Sequence, residues 1–149
     1  MLKSTVIGIG AMGLEMAKHI HAKGMPVTGF DINPEQIAAA KGAGLATEMD
    51  MAALVPAHDV FVVIVASDAQ STTVVDQILA SSPKPGSAIV IAATNHPTTM
   101  RMLADRAKAA GLRFVDAPVV FGMQGARDGN LASLCGGSAE DVAFVEPVL

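Results

Sequence analysis

Three glycines at positions 8, 10 and 13 and an acid at position 31 carry the most chemistry in this 149-residue chain. The apolar run Ser4 to Ile9 passes into Gly8-Ile9-Gly10-Ala11-Met12-Gly13, which reads Gly-x-Gly-x-x-Gly, and then into a helix-forming stretch, Leu14 to Lys23. Gly8 permits a tight turn out of the strand. Gly10 has no side chain to keep a pyrophosphate from the backbone, and Gly13 lets the helix lie close to the sheet. The free N–H groups and positive dipole end of that helix then suit an anion. A second strand-like run, Pro26 to Phe30, ends in Asp31, which lies 18 residues after Gly13. A carboxylate at about that distance can accept from ribose hydroxyls. The order strand, glycine loop, helix, strand, acid therefore points to a bound dinucleotide or a related nucleoside.

The remaining elements say how these residues are held. Asn33-Pro34-Glu35-Gln36 reads as a helix start, with Asn33 capping and Pro34 in the first turn, and the helix ends at Gly42 or Gly44. A minor strand is expected near Leu45 to Thr47, and Asp50 caps one further turn, Met51 to Leu54. Val60 to Val65 is apolar at every position, as in a parallel strand covered on both faces. Ser67-Asp68 caps a helix over Ala69 to Ala80, and 81–86 is a turn. Ala88 to Ala92 is a buried strand, Pro97 to Ala110 a helix closed by Gly111, and Leu112 to Val115 a strand closed by Asp116. Leu131 to Leu134 is one more strand, and Ser138 caps a helix expected to run to Leu149. Such alternation implies an α/β fold of the Rossmann type, a doubly wound, mostly parallel sheet with helices on both faces. Residues 1–149 form one domain, without repeat, linker or low-complexity segment. Ligands of such sheets lie beyond the C-terminal strand ends, which selects Gly10 to Met12, Asp31-Ile32, Ala66-Ser67, Ala93 to Asn95, and Asp116 onward.

Composition narrows the partners. Net charge is −4 with 10 Lys and Arg and no basic cluster, which disfavours nucleic acid and anionic membrane. The longest apolar run, Val60 to Ala66, is far short of the roughly 18 residues that span a bilayer. Met1-Leu2-Lys3 leads directly into a strand rather than a signal peptide, and the single cysteine, Cys135, suits a reducing compartment, so a cytoplasmic protein is expected. His19 and His21 lie two apart on one helix and share no face, and no cluster has metal-ligand spacing, so no metal is expected.

A second stretch, Asp116-Ala117-Pro118-Val119-Val120-Phe121-Gly122, continuing through Gly125-Ala126-Arg127-Asp128-Gly129-Asn130-Leu131, is longer than a plain strand link needs. Together the two stretches resemble the β-hydroxyacid dehydrogenases, the group that contains 3-hydroxyisobutyrate dehydrogenase and is related to 6-phosphogluconate dehydrogenase. Gly8 to Ala17 is similar to that family's Gly-Leu-Gly-x-Met-Gly-x-x-Met-Ala. The second stretch is similar to its substrate loop, Asp-Ala-Pro-Val-Ser-Gly-Gly followed by Gly-Ala-x-x-Gly-x-Leu. The resemblance spans essentially the whole chain.

It implies that Gly8, Gly10, Ala11, Met12, Gly13, Asp31 and Ile32 hold NAD. Ile32 stands where NADP-using relatives commonly have arginine, so NADP is the less favoured cofactor. Val65-Ala66-Ser67, at the family's Leu-Pro position, would lie along the cofactor, and Thr94 matches a threonine near the nicotinamide ribose. Ala93 replaces a frequent serine, and His96 reads as a loop or capping residue before Pro97. The substrate loop departs from the family, since Val120 and Phe121 replace its serine and first glycine while Gly122 is kept. The catalytic lysine of the family lies in a helical segment beyond Leu149. The resemblance thus implies the cofactor domain of an enzyme oxidising a 3-hydroxyacid, with the catalytic and dimer-forming helical domain outside these residues and a homo-oligomer when that domain is present. Two other readings use the same first motif: a free-standing NAD(H)-sensing module, and a methyltransferase, whose nucleoside site also pairs a glycine loop with an acid.

Overall fold

The computed structural model describes residues 1–149. Six strands form one parallel sheet: β1 (Ser4–Ile7), β2 (Val27–Phe30), β3 (Ala46–Glu48), β4 (Val60–Val63), β5 (Ala88–Ile91) and β6 (Arg113–Asp116), in spatial order β3-β2-β1-β4-β5-β6. The crossovers carry α1 (Ala11–Ala22), α2 (Pro34–Gly42), α3 (Met51–Leu54) with a 3-10 turn (Val55–Ala57), α4 (Asp68–Ala80) and α5 (Pro97–Ala109). The strand order reverses at β1, whose neighbours are β2 and β4. A crevice opens there at the C-terminal ends.

Strand periodicity divides the core in two. Val6, Val60, Val62, Val90 and Val115 point to one face and pack with Ala17 and Ile20 of α1 and Ile37 of α2. Ile7, Phe61, Val63, Ile89, Ile91 and Phe114 point to the other, against Leu54, Val75 and Ile78, and Leu103 of α5. This is why Val60–Val63 shows no polar alternation: every position is 0% exposed. Each such side chain contributes about 1.5–3 kcal/mol by leaving water. Two hydroxyls buried in β1 are paired, with Thr5 donating to the Thr28 carbonyl at 2.8 Å and Ser4 to that of Pro26 at 3.1 Å.

Several sequence expectations shift. β1 stops at Ile7 rather than Ile9, because Gly8 turns at φ 92°. β4 likewise ends at Val63, and α1 begins at Ala11, three residues before Leu14. The stretch Asp116 to Leu131 is not a plain loop. It contains β7 (Val119–Val120) and α6 (Gly122–Asp128), and β7 pairs antiparallel with β8 (Ala132–Ser133) as a separate ribbon. The expected strand Leu131 to Leu134 is therefore shorter and outside the main sheet. The last helix, α7 (Ala139–Val145), ends before Leu149. Arg113 fastens α7 to β6, with Glu140 and Asp141 both at 2.9 Å and the Phe144 ring centroid at 4.7 Å.

Candidate functional site

The glycine loop is shaped by two close approaches and one gap. A Cβ on Gly8 would stand 2.4 Å from the Ile64 carbonyl oxygen, and one on Gly13 would stand 1.9 Å from the Gly8 carbonyl oxygen. A side chain at Gly8 would force the turn away from the end of β4, and one at Gly13 would push α1 off that turn. At Gly10 the opposite holds: a Cβ would meet nothing within 4 Å. That glycine guards open space, as a backbone approached by a ligand requires.

Helix caps point to the same spot, since among the α-helices only α1 and the short α6 start without a side-chain cap. α2, α3, α4, α5 and α7 each begin with a side chain accepting from the first turn: Asn33, Asp50, Ser67, His96 and Ser138. α1 begins at Gly10 with no side-chain cap and no acid in its first turn, and the Ala11 and Met12 amides donate to no protein acceptor. An uncapped helix start over open space can hold a phosphate.

Asp31 closes the loop from the other side. Its Oδ2 accepts from the Ile9 N–H at 3.0 Å and its Oδ1 from the Asn33 N–H at 2.9 Å. The Gly8 N–H donates to the Phe30 carbonyl at 2.9 Å beside it. Each carboxylate oxygen retains a second acceptor site, so Asp31 is aimed as well as present. Between Asp31 and α4 lies a cleft of about 420 Å³ bordered by Gly8, Asp31, Ile32, Val65 and Ala66. Ile32 is 82% exposed on its rim. Ala69, Gln70, Thr73 and Gln77 form the far wall. The sequence reading missed this wall, although positions 69, 73 and 77 recur at helical spacing and mark one face of α4.

Thr94 and Ser67 lie outside that cleft. Ser67 spends its hydroxyl capping α4, where it accepts from Gln70 at 3.2 Å. Thr94 is exposed just past β5. The edge around it is stitched together: Asn95 donates to Ser71 at 2.8 Å, and Asp68 accepts from the His96 N–H at 3.0 Å. The Thr99 hydroxyl and that amide hold the Asp68 carboxyl below its ordinary value. His96 is the expected cap, its Nδ1 accepting from the Thr98 N–H at 3.2 Å.

The second stretch reaches the same edge. The Val119 N–H donates to the Ala92 carbonyl at 3.2 Å, so β7 starts beside Ala93 and Thr94. Val120 is half-buried, and Phe121 and Gly122 are exposed at the start of α6. α6 is fixed to α1 by His19, whose Nε2–H donates to the Arg127 carbonyl at 3.0 Å, while Gly129 leaves room for the imidazole. His19 is thus a structural clasp between the two motifs. Asp116, at the end of β6, exchanges backbone hydrogen bonds with Gly136, and burial pushes its carboxyl above the ordinary value.

Residues 3–149 match the family described as the NAD binding domain of 6-phosphogluconate dehydrogenase. An uncharacterized oxidoreductase of Mycobacterium tuberculosis is 36% identical over 140 residues, 93% of this chain and 46% of the relative. The mitochondrial 3-hydroxyisobutyrate dehydrogenase of Mus musculus is 29% identical over 145 residues, 96% of this chain and 43% of the relative. Among solved structures, M. tuberculosis 3-hydroxyisobutyrate dehydrogenase with L-serine superposes with a TM-score of 0.95 at 27% identity, covering 100% of this chain and 51% of that one. The chain spans about half the length of the curated relatives it matches. No helix is long and apolar enough to cross a membrane.

Proposed function

The chain belongs to the β-hydroxyacid dehydrogenase family, as an NAD-binding domain of the 6-phosphogluconate dehydrogenase type, and from that premise we propose that it holds NAD for the oxidation of a 3-hydroxyacid of the 3-hydroxyisobutyrate kind. The observation that carries the reading is the uncapped start of α1 over open space at Gly10, with Asp31 aimed from the neighbouring strand. In the proposal the Ala11 and Met12 amides donate to the pyrophosphate. Asp31 accepts from the adenosine ribose hydroxyls and repels a 2′-phosphate. Ile32 supplies no cation to offset that repulsion, which favours NAD over NADP. The walls at Val65, Ala66 and Thr73 exclude water from the adenine. Thr94 lies toward the nicotinamide ribose, and Val120 to Gly122 border the substrate.

NAD, when bound, would supply the hydride acceptor for the hydroxyl-bearing carbon. The hydroxyl proton needs a base, and no lysine of residues 1–149 stands among those named at this edge. We assign that role to the lysine of the helical segment that the family resemblance implies beyond Leu149. The substrate loop, clasped to the cofactor helix through His19, supports an enzyme over an NADH-sensing module, which has no use for it.

Titration with NADH, read by nicotinamide fluorescence, tests the cofactor, with S-adenosylmethionine as the competing nucleoside. NAD reduction by the polypeptide of the whole reading frame with 3-hydroxyisobutyrate tests the reaction. Binding of S-adenosylmethionine but not NADH would overturn the proposal.

A further inference from the structure

Phe121 differs from the other residues at the cleft edge in two respects at once. Its backbone is left-handed, at φ 78°, and its side chain is 65% exposed. The other non-glycine residue with positive φ, Ser82, is small, polar and in the turn after α4, where that conformation is ordinary. A bulky aromatic there is sterically costly. Gly122 follows at φ 54°, so the chain takes two left-handed steps to enter α6.

Local packing does not offset the cost. The exposed ring buries little, and Phe121 provides no side-chain cap to α6. Its stem is nevertheless accommodated by design of the helix: a Cβ on Gly125 would stand 2.7 Å from the Phe121 Cβ. The pose is therefore held by its surroundings while its ring is left facing outward. Its position is the C-terminal edge of the parallel sheet, two residues beyond the Val119–Ala92 hydrogen bond that begins β7 beside Thr94. Strain held in place at a ligand-bearing edge, with an apolar ring presented from it, is a recognition feature. Its neighbour Val120 adds a second apolar side chain and no donor.

We propose that Phe121 is a specificity-determining residue whose ring forms an apolar wall of the substrate pocket, so that the preferred hydroxyacid carries an aryl or branched alkyl group beside the reacting carbon. This rests on the dehydrogenase reading for the identity of the pocket.

The test compares 3-hydroxy-3-phenylpropionate with 3-hydroxypropionate on the polypeptide of the whole reading frame and on its Phe121→Gly variant, in two arms. Saturation-transfer NMR with NAD present reads binding without turnover, and absorbance at 340 nm reads NAD reduction. The preference for the phenyl acid should fall at least about tenfold in Phe121→Gly, the scale of losing an apolar contact in a pocket. Phe121→Leu should retain most of it. Phe121→Asn, which tolerates left-handed backbone, serves if the glycine variant folds poorly. Parallel changes for both acids, or no binding of the phenyl acid to the wild type, would overturn the wall. A shifted binding preference without any turnover would sustain the wall and sink the dehydrogenase reading. Turnover with an unshifted preference would do the reverse.

Discussion

Gly10→Asp should make the ligand-free protein more stable and the cofactor-loaded protein less so. Gly10 is the N-cap of α1 at φ −67° and ψ −159°, an extended conformation open to any residue, and its missing Cβ faces empty space. An aspartate there can accept from the unpartnered first-turn amides. Replacing a glycine cap by aspartate contributes a few tenths of a kcal/mol. The carboxylate at the positive helix end adds about 0.3–1 kcal/mol. Together, about 0.5–1.3 kcal/mol corresponds to a rise in Tm of roughly 1–5 °C for a chain of this size. The same carboxylate would occupy the place proposed for the pyrophosphate. At about 4 Å and an effective dielectric near 20, each pair of like charges costs up to about 4 kcal/mol, so NADH affinity should fall more than a hundredfold. In the wild type, NADH at a hundred times its Kd stabilises by about 2.7 kcal/mol. Thermal unfolding with and without NADH should therefore show the two melting curves exchanging order. Nicotinamide fluorescence gives affinity directly, without interference because the chain has no tryptophan. A variant that loses stability without ligand, or that keeps NADH binding, refutes the assignment of the α1 start as a site left open for an anion.

Asp31→Ala should weaken NADH at least about tenfold by removing one charge-assisted hydrogen bond of about 1.5–3 kcal/mol, while NADPH changes little or improves; an unchanged NADH-to-NADPH ratio of dissociation constants would discredit the ribose role. Gly13→Ala, in contrast to any change at Gly10, should lower Tm before it touches binding, because its Cβ would stand 1.9 Å from the Gly8 carbonyl oxygen. Circular dichroism on the two variants side by side decides that. Asp116→Asn should be stabilising at pH 7. Burial raises the folded carboxyl above its ordinary 3.8, so the acid's favourable contribution is complete below that value and is lost as pH rises through the folded one. Urea unfolding at pH 7 and pH 4 should show the advantage of the asparagine shrinking toward the acid side, and an advantage that grows there contradicts the burial argument.

The parallel sheet was legible because its signals are local. Val60–Val63 and Ala88–Ile91 are apolar at every position, which only a doubly covered strand tolerates. The caps Asn33, Asp50, Ser67, His96 and Ser138 were each visible as a polar residue before a helix-forming run. Element ends were less legible, because they are set by contacts across the chain. α1 starts at Ala11 because the Leu14 N–H already reaches the Gly10 carbonyl at 2.9 Å, while the sequence shows only glycines there. The far wall of the cleft was missed for a similar reason. Ala69, Thr73 and Gln77 have no chemistry of their own, and become a wall only once α4 lies across from Asp31.

The second stretch was the hardest to read, and the reason bears on function. β7 and β8 have two residues each, and α6 has seven, so none has the periodicity that reveals longer elements. They persist through tertiary ties: Val119 to the end of β5, His19 to the α6 backbone, and the paired amides of Asp116 and Gly136. Every one of those ties runs to a part of the molecule that also holds the glycine loop or the strand ends beside it. A segment with little structure of its own is thereby placed as accurately as the sheet edge it hangs from. That is the arrangement required if a substrate must meet a nicotinamide within a fraction of an ångström. It also explains how the loop can depart from the family at Val120 and Phe121 without disturbing the cofactor half. The ties use backbone atoms and His19, and none of them uses the side chain of Val120 or Phe121.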